Sequence, residues 1–231
     1  MSRPWCSRPK PAGRGWCARA VGFVFHRDRP GERLAAVRTN QGEVACERAV
    51  IAAGIASAAL ARQAGDRIPL ASERGYHVVW RDAPVHLPLP VMPSDGKMAL
   101  TPTLGGLRVA GQVDLAAVSA PPDWRRAELL ARFARQVFPA LRQDSQGAQA
   151  TASAGAQGPS APATRWLGHR PSTPDGLPVI GPSPAHPDIV HALGHGHVGL
   201  AAAPASAELV ADLIAGRVPT LDARPYRASR F

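Results

Sequence analysis

Ile189-Val190-His191-Ala192-Leu193-Gly194-His195-Gly196-His197-Val198-Gly199 is the stretch on which the reading of this chain turns. Its first five residues read as a strand. Gly194 stops that strand. A helix is expected from about Val198 to Ala215, with Gly216 as its C-terminal stop and Pro204 weakening its early part. Gly194–Gly199 is literally G-x-G-x-x-G, between a strand and a helix, as the dinucleotide fingerprint requires. A complete dinucleotide-binding unit does not follow from it: Val218–Phe231 shows neither a second strand nor an acidic strand-end residue for a ribose. Two readings stay open. Small residues at a helix start let a planar or anionic ligand approach backbone N–H groups, with the helix dipole favouring negative charge. Alternatively the glycines only connect strand to helix. A second literal match, Gly13-Arg14-Gly15-Trp16-Cys17-Ala18, follows basic, Pro-rich sequence with no strand and is set aside.

Working outward, Ala49-Val50-Ile51-Ala52-Ala53 is apolar on both faces, stopped by Gly54, then helix-like through Gln63, as in α/β layering. Val21–Phe25 and Leu34–Thr39 read as strands, and Asn40-Gln41-Gly42 reads as a hairpin turn into a strand over Glu43–Ala53. Arg74–Trp80, Met98–Thr101 and Leu107–Gly111 are further strands. Asp123 is placed to cap a helix over 124–138, with Trp124, Ala127, Leu130, Ala134, Val137 and Phe138 on one stripe. Residues 143–164 are low in complexity and read as a loop insertion. Arg170, within Gly168-His169-Arg170-Pro171-Ser172-Thr173-Pro174-Asp175-Gly176, is expected to be held between turns. It would present its planar fork to a carboxylate, or else pair with Asp175 or cap backbone carbonyls.

The chain has 231 residues and is 45% hydrophobic and 19% charged, which is globular composition. Its net charge of +10 sits mainly in two places: residues 1–20 hold five bases and no acid, and Arg224, Arg227 and Arg230 lie near the other end. No basic stripe accompanies a recognition motif, so a nucleic-acid role is not expected. Residues 1–20 read as a basic, Pro/Gly-rich disordered tail without a secretory apolar core. No apolar run reaches membrane-spanning length, and a cytoplasmic location is the default. Three cysteines without a C-x-x-C speak against a disulfide framework, and His169, His186, His191, His195 and His197 lack zinc-ligand spacing, so no metal is expected.

The motifs together resemble one family. Trp166–Gly181, then Gly194-His195-Gly196-His197-Val198-Gly199-Leu200, then Ala203-Pro204 and Leu209–Ile214, are similar to the C-terminal part of FAD-dependent D-amino acid dehydrogenases, within the D-amino-acid, glycine and sarcosine oxidase family. Val50–Gly54, Pro69-Leu70, Arg74-Gly75-Tyr76-His77 and Leu107–Gly111 fit the same family in the same order. The resemblance implies an α+β, two-domain flavoprotein in truncated form. An antiparallel-sheet substrate domain (76–180) would interrupt part of an α/β FAD-binding domain (21–75 and 181–231) that lacks its N-terminal Rossmann unit.

By the same resemblance the substrate-carboxylate arginine is Arg170, with Tyr76 and His77 where the chain enters the substrate domain. The cofactor would lie against Gly54 and against Gly194, His195, Gly196, His197, Val198, Gly199 and Leu200, whose N–H groups favour negative charge on the flavin's N1–C2=O edge. The implied chemistry is oxidative deamination of a small-molecule D-amino acid: hydride passes from Cα to flavin N5, and the imino acid hydrolyses to a 2-oxo acid and ammonia. The family's ADP-binding strand, G-x-G-x-x-G loop and helix have no counterpart before Val21. The alternative expectation is therefore a non-catalytic remnant, or a subunit completed by a partner chain that supplies that half.

Overall fold

The computed structural model describes residues 18–26, 33–141 and 164–231. Of the sequence expectations, the 1–20 tail (save for 18–20), the second G-x-G match (save for Ala18) and nearly all of the 143–164 insertion lie outside these residues.

The chain divides into two compact units. Unit 1 is Met1–Leu70 with Ser172–Phe231, and unit 2 is Ala71–Pro171. The sequence reading put these divisions at 75/76 and 180/181. The first falls at 70/71 because the strand containing Arg74-Gly75-Tyr76-His77 already begins at Ala71, and the second at 171/172, at the end of the strand Thr164–Ser172.

Unit 1 holds two three-stranded sheets. In the first, β1 (Ala20–His26), β2 (Arg33–Thr39) and β3 (Gly42–Ala45) form an antiparallel meander. The β2–β3 turn closes as the Asn-Gln-Gly signal predicts. Thr39 Oγ1 donates to the Gly42 carbonyl at 2.7 Å and accepts from Gln41 N–H at 3.1 Å, while Gly42 takes φ +124°. The strand expected over Glu43–Ala53 is broken at Cys46–Arg48 into β3 and β4 (Ala49–Ile51), and the two pieces join different sheets. The break suits their chemistry: β3 is half polar and lies on a solvated edge, whereas Ile51 is 2% exposed.

In the second sheet β4 runs parallel to β10 (Ile189–Leu193), with Ile51 opposite His191, and β9 (Val179–Pro182) pairs with β10 on its other side. A single 3-10 turn (Gly54–Ala56) and α1 (Ser57–Gln63) follow β4. The long helix α3 (Gly199–Ala215) follows β10 and ends on Gly216 in the left-handed conformation at φ +68°, with Pro204 inside its second turn. Leu34, Ile51, Ala61, Ile68, Val179, Ile189 and Leu193 form the unit 1 core.

Unit 2 is a four-stranded sheet in the order β6-β7-β5-β8, made of β5 (Ala71–Trp80), β6 (Met98–Thr103), β7 (Gly106–Leu115) and β8 (Thr164–Ser172, its last residue in unit 1). Helix α2 (Arg125–Val137) covers one face. Its stripe of Ala127, Leu130, Ala131 and Ala134 packs on Tyr76, Val78, Trp80, Leu100, Leu107 and Val109. Fully burying side chains of the larger kinds contributes about 1.5–3 kcal/mol each.

A bulge on β7 decides what faces this core. Gly75 pairs with Val113 and Tyr76 with Gly111, so Gln112 is left over, at φ +55°. The extra residue turns Asp114 to the core side, where Arg74 meets it through Nε–Oδ1 at 2.8 Å and Nη2–Oδ2 at 2.7 Å. Arg74 Nη1 donates to the carbonyls of Ala120 and Pro121, fastening the chain that leads into α2.

Candidate functional site

The period of two along a strand sorts unit 2 into a core face and an open face. Ser72, Arg74, Tyr76, Val78 and Trp80 are buried on the core face of β5; Glu73, Gly75, His77 and Val79 occupy the other. Trp166, Gly168 and Arg170 stand at the same period on β8, and Arg108 and Ala110 on β7 complete the open face. A shallow cleft of about 190 Å³ forms there, lined by Gly75, His77, Arg108, Trp166, Gly168 and Arg170 among others.

Two glycines shape this cleft by what they leave out. A methyl group on Gly75 would lie 2.6 Å from Arg170 Nη2 and 2.7 Å from its Cζ, so the guanidinium rests directly on the backbone of β5. Arg170 Nη1 donates to Glu73 Oε1 at 3.0 Å. A methyl on Gly168 would fall inside the Trp166 ring, which therefore lies flat across its own strand. That ring stacks on His77, with centroids 4.8 Å apart and planes 19° apart. Arg108 Nη2 approaches His77 Nδ1 at 3.4 Å. Burial, with Arg108 beside it, lowers the His77 pKa to about 4, so at neutral pH the ring is uncharged and Nδ1 accepts from Arg108.

Tyr76, His77 and Arg170, the three residues expected to act on substrate, all line the cleft, but the Tyr76 hydroxyl end lies in the core beneath it. Tyr76 is 1% exposed in the α2 core. Its hydroxyl donates to Asp114 Oδ2 at 3.4 Å and accepts from Asp123 N–H at 3.1 Å, so that end is satisfied inside the core. Arg170 sits in a strand and not between turns, and its carboxylate partner is Glu73. Asp175 instead pairs with Arg230 at 2.7 Å, which depresses the Asp175 pKa to about 2. Asp123, expected to cap α2, bonds Arg125 N–H at 3.3 Å from one position further out.

Unit 1 gathers the other expected residues at one sheet edge. β4 and β10 are parallel neighbours, and each ends in a glycine with left-handed backbone three residues beyond the matched pair Ile51 and His191: Gly54 at φ +58° and Gly194 at φ +79°. Helical segments follow both. In an open sheet, ligands bind outside the carboxyl ends of parallel strands. A methyl on Gly54 would meet nothing within 4 Å, so its backbone is open to a close approach. A methyl on Gly194 would lie 2.9 Å from Thr173 Cγ2, so this glycine is packed against the Thr173–Leu177 turn, which Arg230 holds through Asp175 and the Leu177 carbonyl. Ser172 and His195 form a backbone bridge below it.

His195 Nε2 lies 2.9 Å from Ser206 Oγ, tying the loop to α3, and burial lowers its pKa. Gly196 is left-handed at φ +54°. His197 and Val198 are exposed, Leu200 wholly so, and Gly199 begins α3. Thus Gly54 and Gly194–Leu200 come together at the carboxyl edge of unit 1, while Arg170 and His77 come together on the open face of unit 2.

Glu73, Gly75, Arg108, Trp166 and Gly168 are not among the site residues expected from sequence. Their signal was the two-residue period of Trp166-x-Gly168-x-Arg170 and Glu73-x-Gly75-x-His77. Among the described residues no group of three or more His, Cys, Asp or Glu is placed to hold a metal ion, and no helix is long and apolar enough to cross a membrane.

Comparison with known proteins gives a consistent set of relatives. Residues 17–213 match the DAO family, described as FAD dependent oxidoreductase. The chain is 42% identical over 201 residues to the D-amino-acid oxidase of Bradyrhizobium diazoefficiens, covering 87% of this chain and 45% of that protein. It is 36% identical over 214 residues to D-amino acid dehydrogenase 2 of Ralstonia nicotianae, covering 87% and 45%. The glycine oxidase structure from Geobacillus kaustophilus superposes with a TM-score of 0.72 at 24% identity, covering 93% of this chain and 52% of that one. The chain therefore spans about half the length of the relatives it matches.

Proposed function

This chain belongs to the DAO family of FAD-dependent oxidoreductases, and from that premise we propose that it carries the substrate-carboxylate site and part of the flavin site of an enzyme that oxidatively deaminates D-amino acids. The observation that carries this reading is the Arg170 guanidinium laid over Gly75 on an open sheet face, in a cleft with a neutral aromatic wall.

The residues present fit one end of FAD. Gly54 and Gly194 offer bare backbone at the carboxyl ends of adjacent parallel strands, and the N–H groups opening α3 favour a negative edge of the cofactor. When bound, FAD supplies the two-electron acceptor. This chain's residues bind and orient. Arg170 takes the α-carboxylate through two parallel charge-assisted bonds and gives up part of its contact with Glu73 in exchange. The Trp166–His77 stack walls the cleft with apolar surface, and His77, being neutral, adds no charge of its own. Fixing the carboxylate on a strand, over a glycine, sets the position of Cα far better than a loop would.

A second reading has its own support. β4 has one parallel neighbour among the described residues, Val50 is 42% exposed, and α3 buries only Leu209 and Asp212 along its 17 residues. Such apolar surface suits a unit 1 that is completed by further polypeptide.

The test is steady-state oxidation with FAD and an artificial electron acceptor. Production of a 2-oxo acid from D- but not L-amino acids, reduced at least a hundredfold by Arg170→Ala, is the expected outcome. Turnover unaffected by Arg170→Ala would remove the reading.

A further inference from the structure

On the reading of Arg170 as the α-carboxylate arginine, we infer that Arg108 forms a second anion subsite in the same cleft, and that the preferred substrate is a D-amino acid with an acidic side chain. Both arginines belong to the open face of one sheet. Arg170 lies over Gly75; Arg108 is opposite Val79, two strand repeats along β5, and its Nη2 reaches back to His77 Nδ1. Both guanidinium groups thus lie near His77 on one face, Arg170 over the residue two before it and Arg108 against its Nδ1. A ligand with two carboxylates joined by a short methylene chain presents one to each arginine. The surface between the arginines is the His77–Trp166 stack and Ala110, which suits methylenes.

Charge accounting distinguishes Arg108 from its neighbours. Arg170 has Glu73 at 3.0 Å, and on the other face Arg74 has Asp114. Among the described residues no carboxylate lies within ion-pair distance of Arg108; its contact is an imidazole that is uncharged at neutral pH. A D-amino acid with an apolar side chain would satisfy Arg170 and leave Arg108 without a counter-charge. A second carboxylate would supply it through charge-assisted bonds to the exposed Arg108 fork.

The test needs neither cofactor nor turnover. D-Glutamate and D-alanine are titrated separately into the full chain, following the side-chain N–H resonances of Arg108 and Arg170 and the His77 ring by NMR. D-Glutamate is expected to bind about tenfold more tightly, with both arginines shifting, and the advantage shrinks as salt is raised. Arg108→Gln costs D-glutamate about tenfold more than it costs D-alanine, whereas Arg170→Gln weakens both. D-Alanine binding through Arg170 as tightly as D-glutamate overturns this inference and leaves the carboxylate site standing. If neither ligand moves Arg170, the carboxylate site fails and the inference with it.

Discussion

Replacing Gly75 by alanine isolates the feature on which the carboxylate site depends. The added methyl would stand 2.6 Å from Arg170 Nη2 and 2.7 Å from Cζ, where ordinary contact begins near 3.4 Å. The guanidinium must therefore retreat from 2.6 Å to at least 3.4 Å, a shift of about 0.8 Å. It is the far end of a flexible side chain, so the fold yields cheaply, and exchanging Gly for Ala in a strand itself returns about 0.5–1 kcal/mol. Ligand binding is another matter. Two charge-assisted bonds of about 1.5–3 kcal/mol each depend on both nitrogens facing the carboxylate, and a misplacement near 1 Å costs up to about a hundredfold in rate. D-Alanine affinity, from the Arg170 N–H shifts during titration, should fall about 10- to 100-fold, while the thermal midpoint stays within a few degrees. An affinity within twofold of the parent would mean that Arg170 is not seated over Gly75. A collapse of the thermal midpoint would mean that Gly75 serves packing and not the site.

Gly194→Ala is expected to lower FAD retention, since it puts a side chain at φ +79° and 2.9 Å from Thr173 Cγ2; bound flavin after gel filtration reports it, and full retention would remove Gly194 from the cofactor edge. The His77 ring should titrate near pH 4 by NMR, well below an ordinary histidine. Because the folded pKa is the lower one, its contribution to stability is complete above about pH 6.5 and is lost as the pH falls through 4; thermal midpoints across that range check the sign, and His77→Phe should flatten the slope. Leu130→Ala, at a position 0% exposed beneath the sheet, should cost about 2–5 kcal/mol in urea denaturation.

The strand–glycine–helix signals at Gly54 and Gly194 were legible because glycine stops and apolar runs are local, and α2 and α3 lie within a residue or two of their expected spans. The split of Glu43–Ala53 was not legible. Only pairing with β10, about 140 residues along the chain and available only in the folded state, decides that Ala49–Ile51 leaves the meander. Tyr76 illustrates a parity problem. Tyr76 and His77 are equally prominent in sequence, but adjacent strand residues face opposite ways, and nothing local says which face α2 will cover. The Gln112 bulge that turns Asp114 toward Arg74 is likewise invisible without the partner strand. Arg170's partner, Glu73, lies 97 residues away, whereas Asp175, the neighbour offered as an alternative partner, is claimed by Arg230.

The most direct measurement is the visible spectrum of the full chain, incubated with FAD and freed of unbound cofactor, before and after anaerobic addition of a D-amino acid. The proposed chemistry predicts a retained flavin spectrum that bleaches with the D-amino acid, and bleaching that is lost in Arg170→Ala. A folded but colourless protein, or a flavin spectrum that the D-amino acid leaves unchanged, would contradict it.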